Sequence, residues 1–244
     1  MSNPSPKPTV FRPSVVLLPW DPDSPAHVER MRQQRVACGW KINKIADWQK
    51  FQEAGELIMY WVALPSGLQG VNEIVQRHLS QFPDEAEPLQ DTCTFVLGRP
   101  RTPNSESFIP VGHICLDGCV ANHAVNLLNI SFHGGVWAIA ALYVSRALQG
   151  TGIGGAAMTA VEKISVQEYG VKALTLCTES KEDSAVDSPR MIALKRPAPK
   201  VSNVDWYQRR GYVVYDVVKD ALSHTDSTGR VWHATLVYFR KDLV

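Results

Sequence analysis

Residues 137–144 read Trp-Ala-Ile-Ala-Ala-Leu-Tyr-Val, and they lead into Gln149, Gly150, Thr151, Gly152, Ile153, Gly154 and Gly155 before Ala156, Ala157, Met158 and Val161. A buried strand, a glycine turn and an apolar helix in that order constrain the fold more than any other part of the chain. The first turn of a helix carries backbone N–H groups with no intrahelical partner, and the helix dipole places partial positive charge there. Glycines remove the Cβ atoms that would hold an anion away and permit backbone angles closed to other residues. Such a turn predicts a phosphate cradle built from main chain alone.

Two phosphate carriers fit. Residues 150–155 satisfy G-x-G-x-x-G, and Glu179 ends the next apolar run at 173–177, which imitates a dinucleotide fingerprint. Against it, the turn sits deep in the chain rather than in an opening β-α-β unit, and residues 146–149 separate the strand from the glycines.

A second constellation favours another carrier. Gln149, Gly152 and Gly154 match the Q/R-x-x-G-x-G/A phosphate loop, and residues 206–212, Trp-Tyr-Gln-Arg-Arg-Gly-Tyr, match a later aromatic-Tyr-x-x-x-Gly-aromatic segment. With these motifs the chain resembles the GNAT superfamily of acyl-CoA-dependent N-acetyltransferases over roughly residues 92–240. The resemblance implies an α/β (α+β) fold: a central mixed, mostly antiparallel sheet with helices on both faces and a splayed pair formed by its fourth and fifth strands. It implies acetyl-CoA as cosubstrate, with backbone groups of Leu142, Tyr143 and Val144 along the pantetheine arm and Gln149, Gly150, Thr151, Gly152, Ile153, Gly154 and Gly155 around the pyrophosphate. The acetyl group would lie where the two central strands part.

In that family the tyrosine at the position of Tyr207 often returns a proton to the leaving thiolate; the competing reading is packing beneath the cofactor with Trp206. The base is open. Where several relatives place a carboxylate or histidine, the strand here has Ile139, Ala140, Ala141 and Leu142. Glu179 is the first candidate, with His113 and His133 as others, and Cys177 is read as an inert strand thiol. Lys200 and Asn203 occupy slots where the family has asparagine and alanine, so Asn203 is read as a helix cap. Direct transfer in a ternary complex follows from the resemblance.

The 244 residues, 45% hydrophobic with a net charge of +1, suffice for one substantial core and offer no field for a polyanion or a membrane surface. The polar, proline-rich start lacks the layout of a secretory signal, and the apolar runs fall short of the roughly 20 residues of a membrane helix. The expectation is a cytoplasmic monomer or homodimer without nucleic-acid or membrane partners. It has a disordered arm over 1–14 and one domain over 15–244, with a flexible insertion at 180–202. Five cysteines without an export signal argue for reduced thiols. His113, Cys115, Cys119 and His123 are a conceivable zinc set, but their spacing matches no finger or ribbon, and no metal is expected.

Periodicity predicts a strand over 15–18 and a helix from Ser24-Pro25 to Gly39 with Val28, Met31 and Val36 on its apolar stripe beside Arg32 and Arg35. A second helix ends at Gly55, and residues 57–62 fit either a buried strand or a core helix. Val71, Ile74, Val75, His78 and Leu79 mark another helix. Residues 92–97 and 109–116 read as an antiparallel pair around the loop 98–107. Residues 137–145, 154–169 and 173–178 read as β-α-β.

Three functions remain open: an acetyltransferase acting on a small amine, amino acid or related metabolite; a protein or peptide N-acetyltransferase; and a non-catalytic acyl-CoA-binding module.

Overall fold

The computed structural model describes residues 13–67, 69–118, 135–196 and 198–244. Residues 1–12 of the expected arm, together with Cys119, His123 and His133, lie outside them. The described residues divide into two compact units, one drawn from 13–117 and 140–164, the other from 118, 135–139 and 165–244.

The first unit opens with β1 (Val16–Pro19), α1 (Pro25–Cys38), α2 (Ile45–Glu53) and β2 (Leu57–Ala63). It continues through α3 (Val71–Gln81) and the short strands β3 (Leu89–Gln90), β4 (Phe95–Val96), β5 (Arg99–Pro100) and β6 (Ser107–Phe108) to β7 (Gly112–Asp117). The C-terminal half of β8 (Val136–Val144) and most of α4 (Ile153–Tyr169) complete it. Its strands run in the order β1-β2-β7-β8, with β2 antiparallel to both β1 and β7. Every residue of β2 is buried, which settles 57–62 as a central strand. Leu57, Met59, Trp61 and Ala63 share one face by strand alternation and pack with Trp20, Met31, Ile45 and Trp48.

Two expectations are corrected. Residues 109–116 do not pair with 92–97: β7 pairs with β2 in the register Met59↔Cys115, while β4 and β5 close a tight hairpin of their own. Leu97 and Gly98 make that turn, with φ of 50° and 72°. On α1, Val36 is 52% exposed, and the buried positions are His27, Arg30, Met31, Gln34 and Arg35. The buried face is mostly polar, a pattern that hydrophobic periodicity cannot register.

The second unit contains the N-terminal half of β8, the end of α4, β9 (Ala173–Glu179), α5 (Pro189–Ala193), α6 (Asn203–Arg209), β10 (Val213–Thr225) and β11 (Val231–Asp242). Its order is β8-β9-β11-β10. β9 and β10 are both antiparallel to β11, and β8 is parallel to β9. The parallel pairing covers Val136–Ala138 against Ala173–Thr175; beyond it no pairing between the two strands occurs among the described residues. This is the splayed pair of a mostly antiparallel sheet. Ala138, Leu236 and Tyr238 form a small core here, with Leu222 beside it.

Candidate active site

In the first unit β8 delivers the chain into the glycine turn. Ala141 sits in mid-strand with φ of 51°, a left-handed conformation that departs from the ordinary course of a strand. The sequence reading missed it, because alanine carries no signal for that region. Leu142 and Val144 are half-buried while Tyr143 is buried, and burial, with Glu85 next in importance, pushes its hydroxyl well above the ordinary tyrosine range.

Ser145 closes the strand, donating its N–H to Val111 O (2.8 Å) and accepting from Leu148 N–H (2.8 Å) across a short 3-10 turn at Arg146–Leu148. Gly150 and Gly152 then take φ of 84° and 90°, which favours glycine at both. Thr151 fastens the turn by donating its hydroxyl to Leu148 O at 2.6 Å. Helical bonding begins with Ala156 N–H to Gly152 O at 3.0 Å, so it does not consume the N–H groups of Ile153, Gly154 and Gly155.

Gln149, Gly150 and Gly152 are exposed, and no side chain lies within 4 Å of a Cβ built on Gly150. An exposed main-chain cradle at the start of a 17-residue helix fits a pyrophosphate. All seven predicted loop residues, 149–155, lie together there.

In the second unit Tyr207 lies on α6, buried, with its ring against Trp206 (4.9 Å between centroids), Tyr212 (5.9 Å) and Phe239 (5.9 Å). Burial first, and then Cys177, push its hydroxyl far above the ordinary range, so it keeps its proton at neutral pH. Cys177 is exposed rather than packed in an apolar strand interior. The helix cap is also corrected: Ser202 accepts from Val204 N–H, and Asn203, the first helical residue, donates to Thr178 Oγ1 at 3.4 Å. Asn203 has the side chain of a good cap but sits one residue too late.

Glu179 ends β9 at 8% exposure in a buried ion pair with Arg190, which α5 supplies. Arg190 Nη2 also donates to His224 Nδ1 at 2.9 Å, and Nη1 to Asp183 O at 3.3 Å. Burial, then Arg196 and Arg190, lower the His224 pKa to about 4. Asp183 accepts from Thr235 N–H (2.7 Å) and Ser180 Oγ (2.9 Å), so residues 180–190 are fastened to β9 and β11. Nothing in the composition of 180–202 marks Arg190 as the partner of Glu179. His113, the other described base candidate, is fully buried in the first unit, and burial and then Arg35 hold it well below its usual range.

Residues 71–188 match the sequence profile of the Acetyltransferase (GNAT) family. Over those residues the chain carries a domain that matches GNAT acetyltransferases, which use acetyl-CoA as cosubstrate. A comparison with curated proteins found no match. Among solved structures it is similar to Arabidopsis thaliana NAA60 in complex with acetyl-CoA, at TM-score 0.50 and 13% identity, covering 94% of this chain and 98% of that one. An aminoglycoside 6'-N-acetyltransferase from Enterococcus faecium aligns at TM-score 0.48 and 13% identity over 94% of this chain and 97% of its own. At such identity the first likeness establishes the fold alone, and no argument rests on the second. Among the described residues no helix is long and apolar enough to cross a membrane.

Proposed function

We propose that this protein moves the acetyl group of acetyl-CoA to the primary amine of a small molecule or amino acid, by direct transfer with both substrates bound. The observation that carries the proposal is the turn 149–155, an exposed glycine cradle at the first turn of α4, entered from a strand with a left-handed residue at Ala141. The amides of Gly150 to Gly155 would hold the pyrophosphate, and backbone groups of Leu142, Tyr143 and Val144 the pantetheine arm. Acetyl-CoA supplies a thioester, whose carbonyl is open to attack by an amine.

The residues of this chain manage the protons. An aliphatic ammonium must lose one before attack, because it is charged at neutral pH. Glu179, the carboxylate at the end of β9, is assigned that role through water, with Arg190 giving way as the proton arrives. Tyr207, whose hydroxyl stays protonated, is assigned the return of a proton to the departing thiolate. A small acceptor is favoured because no acidic or basic stripe in the sequence suggests a peptide track.

Titration calorimetry with acetyl-CoA, CoA and NAD, repeated with Gly152→Glu and followed by thiol release across a panel of amines and peptides, tests this. Acetyl-CoA binding that the variant loses, with thiol release for a small amine, is the expected result. Turnover confined to peptides would reassign the acceptor. Binding without turnover would reduce the protein to an acyl-CoA-binding module, and NAD binding without CoA binding would end the proposal.

A further inference from the structure

The core of the first unit contains a chain of buried polar side chains that the acetyl-transfer reading does not use. Arg35 Nη1 donates to His113 Nε2 at 3.1 Å, and His113 Nδ1, carrying the proton, donates to Gln34 Oε1 at 2.9 Å. Gln34 Nε2 donates to Glu85 Oε2 at 3.0 Å and to Pro110 O at 2.9 Å. His78 Nε2 faces the same Glu85 oxygen at 3.4 Å without a hydrogen bond, and His78 Nδ1 is 2.9 Å from Ser145 Oγ. With the ring proton facing Glu85, the serine hydroxyl donates to Nδ1.

Every member is buried, none more than 2% exposed. Exchanging such a network for apolar side chains of similar volume often leaves stability unchanged or raises it, so stability alone is a weak reason for this one. A chain of this kind can instead fix one arrangement, because each link is directional.

Its two ends show what is fixed. At one end Arg35 donates from Nε to Trp40 O at 2.8 Å, holding the turn that follows α1. At the other, Ser145 is the last residue before the 3-10 turn that leads into the phosphate loop, with its N–H, carbonyl and hydroxyl all engaged. A second tie runs parallel, from Arg146 Nη2 to Cys38 O at the C-terminal end of α1, 3.3 Å. Two consecutive residues that lead into the loop are thus each held by a side-chain contact, Ser145 by His78 of α3 and Arg146 by the last turn of α1.

We propose that His78 is a positioning residue for the cofactor: by holding the Ser145 hydroxyl it sets the pitch at which the chain leaves β8, and so the aim of the amides at 150–155. This rests on the assignment of that loop to the pyrophosphate. Holding an anion on several amides at once demands their mutual placement, and a small rotation at the strand exit spreads over the whole turn.

The test compares His78→Leu, His78→Asn and Ser145→Ala by calorimetry with CoA and by hydrogen exchange at the Leu148 and Thr151 amides, each variant first shown to be folded. Asparagine keeps a polar atom where Nδ1 stands and removes the ring nitrogen that faces Glu85, so it tests the Ser145 contact alone. The expected result is a CoA Kd about tenfold higher for His78→Leu and Ser145→Ala, with faster exchange confined to 146–152, and near-wild-type values for His78→Asn. A Kd unchanged in both folded variants would overturn the proposal, as would a loss that His78→Asn does not repair. Should His78→Leu fail to fold, Ser145→Ala, which removes a single oxygen, decides alone. Should the wild-type protein not bind CoA, the reading of the loop fails, and exchange decides the positioning separately: faster exchange confined to 146–152 upholds it, and unchanged or global exchange rejects it.

Discussion

Pro13 lies against Gly152: a Cβ built on that glycine would stand 2.9 Å from Pro13 Cγ, closer than a real Cβ comes to a neighbour. The residue at the centre of the cradle is therefore a glycine for two separable reasons, its φ of 90° and the ring beside it. Gly150, at φ of 84° with nothing within 4 Å, has only the first.

Gly150→Ala and Gly152→Ala should differ accordingly. Each pays a backbone strain on the order of 1–3 kcal/mol. Only Gly152→Ala must also displace Pro13, and it should lower the CoA affinity further. Pro13→Ala in the Gly152→Ala background should recover part of that loss and do nothing for Gly150→Ala. Calorimetry on the four proteins checks it.

Tyr207→Phe retains the ring packing against Trp206, Tyr212 and Phe239 and deletes only the hydroxyl. With the hydroxyl as proton donor, kcat should fall about a hundredfold while KM for acetyl-CoA stays within about twofold. Steady-state kinetics showing an unchanged kcat would leave Tyr207 a packing residue.

Arg190→Met should cost about 3 kcal/mol in urea unfolding, because it strands the Glu179 carboxylate in a buried position. Glu179→Gln with Arg190→Met should recover most of that stability, since no buried charge is then left alone. If Glu179 is also the base, Glu179→Gln should abolish turnover at every pH while CoA binding persists.

Acid should loosen the fold through two histidines. His224, lowered to about 4, and His113, lowered further by burial, are neutral in the folded protein, whereas both would protonate near 6.5 in the unfolded chain. The unfolded state binds more protons below that value, so their contribution is complete above about pH 6.5 and is lost as the pH falls toward 4. Thermal midpoints across this range should fall, with a shallower slope in His224→Gln.

What the sequence disclosed and what it hid divide along physical lines. The unit from Val136 through α4 to Glu179 was readable because each signal is local: an apolar run, glycines, a helix start. The helices at Pro25–Cys38 and Val71–Gln81 were readable for the same reason. The partner of β7 was not, since pairing 109–116 with the nearer 92–97 or the more distant 57–62 satisfies the same alternation. The turn at Leu97 and Gly98, which folds 95–100 back on itself, settles that choice. Arg35 was misjudged because a buried polar face imitates a solvated one until its partners from β7 and the 83–85 turn are in place. Of the candidate site, the glycine turn at 149–155 was legible as a turn that opens a helix. The pairing of Glu179 with Arg190 was not, because it joins residues from separate segments with no shared motif.

The left-handed alanine of β8 has a consequence for how this gene can drift. At most positions of a buried strand, valine or isoleucine is welcome and glycine is a loss. At Ala141 the order reverses: a φ of 51° penalises β-branched side chains and admits glycine or asparagine. Two residues upstream and one downstream, Ile139 and Leu142 obey the ordinary preference. A library randomised across 138–144 should therefore show one column of survivors with an inverted palette, marking the backbone's detour without any ligand present.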